Sequence, residues 1–209
     1  MTSICFYFQV HQPFRLKWFW PSQYKNWQGN LVDLYFDRSL NEYTFKKVAK
    51  KCYWPTNNTI LYLIDQFKRQ NRTFKLSYSL SGTFLEQCKM WDPNLLETFK
   101  QMANSGCVEF LCETYYHSLV SLFEKRTEFI EEVKMHRDAI QDIFGLKPQI
   151  FRNTELLYHD RIAEEIEKIG FKAIMTEGIE RILEGWKSPN YVYKRKGGNI
   201  KVLLRNYRL

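Results

Sequence analysis

The chain has 209 residues, 44% of them hydrophobic and 17% aromatic, and this composition predicts one globular domain rather than a disordered segment. Its net charge of +8 arises from 31 Lys and Arg residues against 23 Asp and Glu residues. The basic residues are scattered in short pairs such as Lys46 and Lys47, and neither a basic stripe nor a nucleic-acid-binding motif is evident. Binding to nucleic acid is therefore not expected.

The cysteines indicate neither a disulfide framework nor a zinc knuckle, because their number is odd and no Cys-x-x-Cys pair occurs. The first residues form no basic leader with a small-residue cleavage site, and no apolar run reaches the roughly 18 residues of a membrane span. We therefore expect reduced, structural thiols and a soluble, cytoplasmic chain that does not bind a membrane. The five cysteines are Cys5, Cys52, Cys88, Cys107 and Cys112.

The apolar run 4–10 predicts a first strand that is buried on both faces, as parallel strands are. Pro13 cannot continue a central ladder, so His11 and Gln12 are expected at the carboxyl end of this strand. His11 is either a structural or a functional group there. Residues 14–29 form an irregular aromatic loop, which is either a lid or sugar-stacking wall or a cap over a barrel mouth. This loop contains Trp18, Trp20 and Trp27.

Helical spacing of apolar residues predicts two helices, at 39–51 and at 58–70. A second strand is predicted at 74–80, closed by Ser81 and Gly82. A further helix is expected to begin at Asp92, a good N-cap that is followed by proline, and to end near Gly106.

The third predicted strand, 107–111, contains Glu109 within an otherwise apolar run, with Glu113 just beyond the strand. A buried carboxylate needs a partner, so Glu109 either forms a salt bridge with an arginine such as Arg152 or lines an active pocket. We favour the pocket. His117 follows in the loop at the same end of the strand and is a second candidate histidine.

A long helix is predicted at 127–144, where His136 would be structural. A short strand at 149–152 then leads through a turn into a helix that ends near residue 169. Glu155 lies at this junction, where it either interacts with the helix dipole or faces a central pocket at the strand's carboxyl end. A fifth strand at 172–176 and a short helix to residue 183 follow.

The segments 191–194 and 200–205 flank two glycines and predict a hairpin or an excursion before the sixth strand. Strands that alternate with helices in this way predict an α/β fold with a parallel sheet. The chain lacks a Gly-x-Gly-x-x-Gly motif and a phosphate loop, which disfavours an open nucleotide-binding sheet. His11, Glu109 and Glu155 at successive strand ends favour a barrel with a shared pocket.

Three motifs, in this order along the chain, resemble conserved regions of glycoside hydrolase family 57. They are His11-Gln12-Pro13, the stretch Gly106 to Glu109, and Phe151-Arg152-Asn153-Thr154-Glu155. The stretch from Glu113 to Leu119 is similar to the amylase-like branch of that family. The resemblance implies an incomplete (β/α)7 barrel that acts on α-glucans or maltooligosaccharides with retention of configuration, without a metal or other cofactor.

By this resemblance Glu155 is the nucleophile, and His11 and Glu109 bind the sugar or orient the nucleophile. His117 is a weaker candidate for the same wall, and Gln12 and Trp20 complete the expected substrate-binding set. The family's acid/base is an aspartate that follows the strand at 202–205. The sequence ends before that region, so residues 1–209 are expected to form a partial barrel of low activity. Hydrolysis and transfer to another sugar both remain open, and no oligomeric state is indicated.

Two other readings remain. A metal-dependent carbohydrate deacetylase would need paired histidines, but no two of the four histidines lie within five residues of each other. A non-catalytic α-glucan-binding or regulatory protein could use the aromatic loop without cleaving its ligand.

Overall fold

The structure is a computed structural model that describes residues 4–18, 25 and 27–208. This part of the chain is an α/β fold in which all strands except one are parallel to their neighbours, as predicted. The strands are β1 (Tyr7–Val10), β2 (Leu76–Leu80), β3 (Val108–Leu111), β4 (Ile150–Arg152), β5 (Ala173–Glu177), β6 (Val192–Lys194) and β7 (Lys201–Arg205).

Six of these strands form one curved wall in the order β1-β2-β3-β4-β5-β7. The first three pair as one parallel sheet, and β4, β5 and β7 pair as a second. A bridge between Cys112 and Phe151 connects β3 to β4, with Cys112 N donating to Ile150 O at 3.0 Å. Strand β6 pairs antiparallel with β7, which confirms the predicted hairpin.

Helices cover the outer face of the wall. They are α1 (Leu31–Tyr35), α2 (Arg38–Val48), α3 (Trp54–Arg69), α4 (Gly82–Trp91), α5 (Pro93–Asn104), α6 (Thr127–Phe144), α7 (Asp160–Lys168) and α8 (Glu180–Leu183). Within the described ranges, no helix combines the length and apolar character that crossing a membrane requires.

Alternate residues of the strands face the helices and form the apolar core. Tyr78 is buried between Phe8 and Phe110, with ring centroids 5.4 and 6.4 Å away. Phe110 in turn stacks on Phe144 of α6 at 4.4 Å. The opposite face is polar, and Gln9 of β1 accepts a hydrogen bond from Arg152 of β4 across it at 2.8 Å. Two strands lie between these residues in the sheet, so the wall curves around a polar interior.

Burial of the first strand on both faces was predicted, and this prediction is wrong. Ile4 and Phe6 are 68% and 53% exposed and Phe8 is 38% exposed. The physical reason is position: within the described chain β1 pairs with β2 alone and is an edge strand. Only part of the apolar run packs in the core, where the Phe8 ring contacts that of Tyr78.

The helices at 39–51 and 58–70 were expected to be separate, but the chain stays helical between them. A π-helical turn at Ala49–Tyr53 joins α2 directly to α3. Pro55 has no N–H to donate to the preceding turn, and the wider π turn lies just before it. Helix α4 was not predicted at all, because Ser81 and Gly82 were interpreted as the end of β2. Ser81 instead caps α4, and its Oγ accepts from Phe84 N at 3.4 Å.

We expect Asp92→Ala to lower the free energy of unfolding by about 1–3 kcal/mol. Asp92 caps α5 by accepting from Leu95 N at 3.1 Å, and its second oxygen accepts from Trp54 Nε1 at 2.7 Å. The matched control is Asp65→Ala, which removes an exposed ion pair with Arg69 and should change stability by less than about 0.5 kcal/mol. Urea unfolding measures both variants, and equal losses would contradict the capping role.

Candidate active site

The carboxyl ends of β1, β3 and β4 bring together two histidines and a glutamate that lie far apart in sequence. His11 follows β1, and its ring stacks on that of His117 with centroids 4.2 Å apart and planes 24° apart. His117 Nε2 lies 3.6 Å from Glu155 Oε1. The structure therefore assembles His11, His117 and Glu155, which sequence reasoning had nominated, into one cluster.

His11 is held at the amino end of α4. Its Nδ1 lies 2.8 Å from Ser81 Oγ and 3.4 Å from Thr83 Oγ1. Burial, with the neighbouring His117 as a further cause, lowers the pKa of His11 to about 4. The imidazole is consequently neutral at pH 7 and serves as a hydrogen-bonding group rather than a cation.

His117 lies in the loop after β3 with a left-handed backbone (φ 57°). Its Nδ1 is 2.6 Å from Glu113 Oε2, while Gln9 Nε2 lies 2.9 Å from its Nε2. Its side chain is 8% exposed, so these contacts take place in a largely closed environment. Both ring nitrogens are therefore engaged by named partners.

Glu113 is the residue of this cluster that sequence reasoning missed as a functional candidate. It is fully buried, and Ser79 Oγ donates to its Oε1 at 2.7 Å. Burial acts to raise the pKa of Glu113, but the hydrogen bonds from His117 and Ser79 outweigh it and leave the pKa below its usual value. The available signal was spacing: Glu113 lies four residues after Glu109, on the same face of an extended segment but at its carboxyl end.

Glu155 stands on a tightly held turn after β4. Glu155 and Leu156 both have left-handed backbones, with φ of 53° and 54°, which costs on the order of 1 kcal/mol each for residues other than glycine. Asn153 is fully buried and holds the turn closed, because its Nδ2 donates to Leu157 O at 3.0 Å and to Ser121 Oγ at 2.9 Å. The Glu155 side chain itself is 71% exposed.

Two further contacts fix the turn to neighbouring strands. Thr154 Oγ1 lies 2.7 Å from Thr114 Oγ1 in the loop after β3, and Thr176 Oγ1 of β5 donates to Leu156 O at 2.9 Å. The alternative that Glu155 serves the helix dipole does not fit, because α7 begins five residues later at Asp160. His159 is the N-cap of that helix and accepts from Arg161 N at 3.1 Å.

The remaining nominated residues lie elsewhere. Glu109 is exposed rather than buried, pairs in register with Ser77, and lies roughly 13 Å of strand before Glu113. Its carboxyl has no hydrogen-bond or ion-pair partner within the described ranges, and partial burial raises its pKa. The alternative of an ion pair between Glu109 and Arg152 is not formed, because Arg152 Nη1 lies 3.8 Å from Glu113 Oε2 instead.

Gln12 is buried on the opposite face of the wall from His11. Its amide lies 3.1 Å from both Tyr53 Oη and Arg15 Nη1. Its backbone carbonyl accepts from Gln87 Nε2 at 2.6 Å. These contacts anchor the segment after β1 and do not bring the Gln12 side chain to the cluster. Trp20, the other nominated residue, lies outside the described residues.

Comparison with known proteins assigns the chain to a family. The sequence profile of glycosyl hydrolase family 57 matches residues 5–209. A curated Methanocaldococcus jannaschii protein named "Putative alpha-amylase" is 51% identical over 207 residues. That alignment covers 99% of this chain and 42% of the relative, so the chain spans less than half of the relative's length.

Solved structures share the fold at low sequence identity. The 4-alpha-glucanotransferase of Thermococcus litoralis matches with a TM-score of 0.70 and 14% identity, over 98% of this chain and 27% of that one. The GH57-type branching enzyme of Pyrococcus horikoshii matches with a TM-score of 0.69 and 16% identity, over 98% of this chain and 46% of that one. This likeness confirms the predicted fold class of a parallel (β/α) barrel type.

The depressed pKa of His11 predicts a specific loss of stability in acid. Its pKa is about 4 in the folded chain against 6.5 ordinarily, so between these values the unfolded chain binds more protons. The free energy of unfolding therefore falls as the pH falls through this window. His11→Gln should remove about 1–2 kcal/mol of the loss between pH 7 and 4.5, after allowance for solvent screening.

Urea unfolding of wild type and His11→Gln at both pH values measures this difference. Burial also lowers the pKa of His136, but that contribution is common to both proteins and cancels. An identical pH dependence in the two proteins would show that His11 is not held neutral.

Proposed function

Because this chain belongs to glycosyl hydrolase family 57, we propose that it acts on α-glucans by a retaining mechanism in which Glu155 is the nucleophile. The observation that carries the proposal is the placement of Glu155. Its carboxylate is exposed on a clamped, left-handed turn at the carboxyl end of β4, 3.6 Å from His117 Nε2. Backbone strain of this kind persists where surrounding contacts impose it, and it clusters at active sites.

Clamping matters because a nucleophile must reach the anomeric carbon along one line. The contacts of Asn153, Thr154 and Leu156 hold the turn. The backbone of Glu155 is therefore fixed, although its carboxylate is open to solvent. Misplacement by about 1 Å can cost on the order of 10²-fold in rate. The turn therefore supplies position, while its exposure leaves room for a sugar.

The proposed first step forms a bond between a Glu155 oxygen and the anomeric carbon, as the glycosidic bond to the leaving oxygen breaks. A second carboxyl group about 5–5.5 Å away donates the proton that the leaving oxygen requires. His11 hydrogen-bonds a sugar hydroxyl beside the nucleophile, and His117 forms part of the same wall. In the second step the second carboxyl group, now ionised, takes a proton from water or a sugar hydroxyl while that oxygen attacks the same carbon and Glu155 leaves. Attack by water gives hydrolysis, and attack by a sugar hydroxyl gives transfer.

An α-glucan is proposed as substrate because the similar proteins are named for α-glucan chemistry, as an alpha-amylase, a 4-alpha-glucanotransferase and a branching enzyme. A non-catalytic α-glucan-binding protein and a metal-dependent deacetylase are outcomes of the test below.

The nucleophile can be tested separately from the proton donor by using a 5-fluoro-α-maltosyl fluoride. Fluoride leaves without protonation, and the ring fluorine slows breakdown of the glycosyl-enzyme. We expect the 209-residue chain to gain the mass of one fluoromaltosyl group, located by peptide mapping on Glu155. Glu155→Gln should lower the labelling rate by at least about 10³-fold, because the amide is a far weaker nucleophile.

The matched control is Glu128→Gln, which changes an exposed glutamate in the first turn of α6 and should be labelled like wild type. Labelling of another residue, or undiminished labelling of Glu155→Gln, would contradict the assignment. Binding of maltooligosaccharide without labelling would indicate the non-catalytic protein. Metal-dependent release of acetate from an acetylated sugar would indicate the deacetylase.

A further inference from the structure

Glu113 is a buried carboxylate with a lowered pKa that the proposed chemistry does not use. Its side chain is 0% exposed, so it does not meet the sugar directly. An ionised carboxylate in such a place is costly unless its oxygens are fully engaged. Both oxygens are engaged here, Oε1 by Ser79 and Oε2 by His117. Arg152 Nη1 adds a positive charge 3.8 Å from Oε2.

The hydrogen bonds from Arg152 through Gln9 and His117 to Glu113 form a series in which the donor and the acceptor of each bond can be assigned. Arginine can only donate, so the Gln9 atom that faces Arg152 Nη2 at 2.8 Å is the amide oxygen. Gln9 Nε2 is therefore a donor, and it lies 2.9 Å from His117 Nε2 and 3.3 Å from Nδ1. An ionised carboxylate can only accept, so His117 Nδ1 carries the hydrogen that lies toward Glu113 at 2.6 Å. Nε2 is then left as the acceptor of the Gln9 hydrogen bond.

We propose that Glu113 is a positioning residue that holds His117 as the neutral Nδ1–H tautomer, with Nε2 as a hydrogen-bond acceptor beside Glu155. The proposal rests on the proposed role of Glu155 as nucleophile. An imidazolium with a hydrogen on Nε2 would form an ion pair with the Glu155 carboxylate, 3.6 Å away, and would weaken it as a nucleophile. A neutral ring whose Nε2 accepts from Gln9 carries no positive charge, so the Glu155 carboxylate keeps its full charge.

His136 provides an internal contrast, because it contacts the same residue in the opposite tautomer. Its Nε2 lies 2.7 Å from Leu80 O, which can only accept, so this nitrogen carries the hydrogen. Its Nδ1 accepts from the backbone N–H of Glu113 at 3.4 Å. The two rings thus approach Glu113 from its side chain and from its backbone, and burial lowers the pKa of His136.

The tautomers can be read directly by long-range ¹H–¹⁵N spectra of the 209-residue chain with ¹⁵N-labelled histidine at neutral pH. We expect His117 to be protonated on Nδ1 and His136 on Nε2, with assignments from His11→Gln, His117→Gln and His159→Gln. A protonated Nε2 on His117, or a doubly protonated ring, would overturn the proposal without any variant of Glu113.

Glu113→Gln then tests whether this carboxylate sets the tautomer. The amide has the same shape but can either donate or accept, so His117 should become a mixture of both tautomers. Gln9→Met removes the donor to Nε2 but leaves Glu113 in place, so the Nδ1–H tautomer should persist. Glu131→Gln, an exposed change on α6, should leave the spectrum unchanged. A wild-type spectrum in Glu113→Gln, or a mixture of tautomers in Gln9→Met, would show that a group other than Glu113 sets the His117 tautomer.

The functional arm uses the activated fluoride. Glu113→Gln should slow labelling on the order of 10²-fold, while its dissociation constant for maltooligosaccharide changes less than about threefold, because Glu113 is buried away from the sugar. A parallel loss of binding and labelling would indicate a general structural role instead. If wild type is not labelled at all, the proposed function fails, yet the histidine spectra still decide the role of Glu113.

Discussion

The site depends on the burial of one charge, the Glu113 carboxylate, among donors from separate strands and loops. Ser79 comes from β2, Arg152 from β4, and His117 from the loop after β3. His117 is four residues from Glu113 along the chain, whereas Ser79 and Arg152 belong to the strands on either side of β3 and meet Glu113 only when the sheet has formed. A buried ion without them would be unstable, so the pairing of β2, β3 and β4 and the assembly of the site are coupled.

Glu155, the candidate nucleophile, is held in place by a different kind of interaction. Neutral hydrogen bonds and a buried amide fix its turn, and the strain of two left-handed residues is opposed by contacts from Asn153 and Thr176. Glu155 is itself exposed and makes few contacts, so the turn can hold its position without stabilising its charge. The cluster therefore contains two glutamates in contrasting environments. One is enclosed and neutralised by donors, and the other is open and held near an uncharged imidazole.

Much of the fold can be predicted from the sequence, because helix caps and helical periodicity are local sequence signals. The cap at Asp92 and the helical period of residues 127–144 predicted α5 and α6 almost to the residue. Helix α4 was missed at Ser81 and Gly82 because serine followed by glycine can close a strand as readily as it caps a helix. Gly82 is in fact required by packing, since a Cβ there would lie 2.5 Å from the Tyr115 ring. That contact joins residues 33 positions apart, and no local pattern reveals it.

The site shows the same limit more sharply. Strand ends were predictable, so His11 and Glu155 could be placed at one edge of the sheet from the sequence. Which face of a strand is inner, and how far along it a side chain lies, depends on the curvature that the whole wall adopts. Glu109 was therefore nominated and Glu113 was not, and Gln12 was grouped with His11 although alternation places it on the other face. The donor and acceptor roles in the hydrogen bonds of Gln9 and His117 could not be predicted from the sequence. They are set by Arg152, which lies 143 residues from the Gln9 amide that it orients. A residue type can be read locally, but its protonation is decided by partners that only the folded chain brings together.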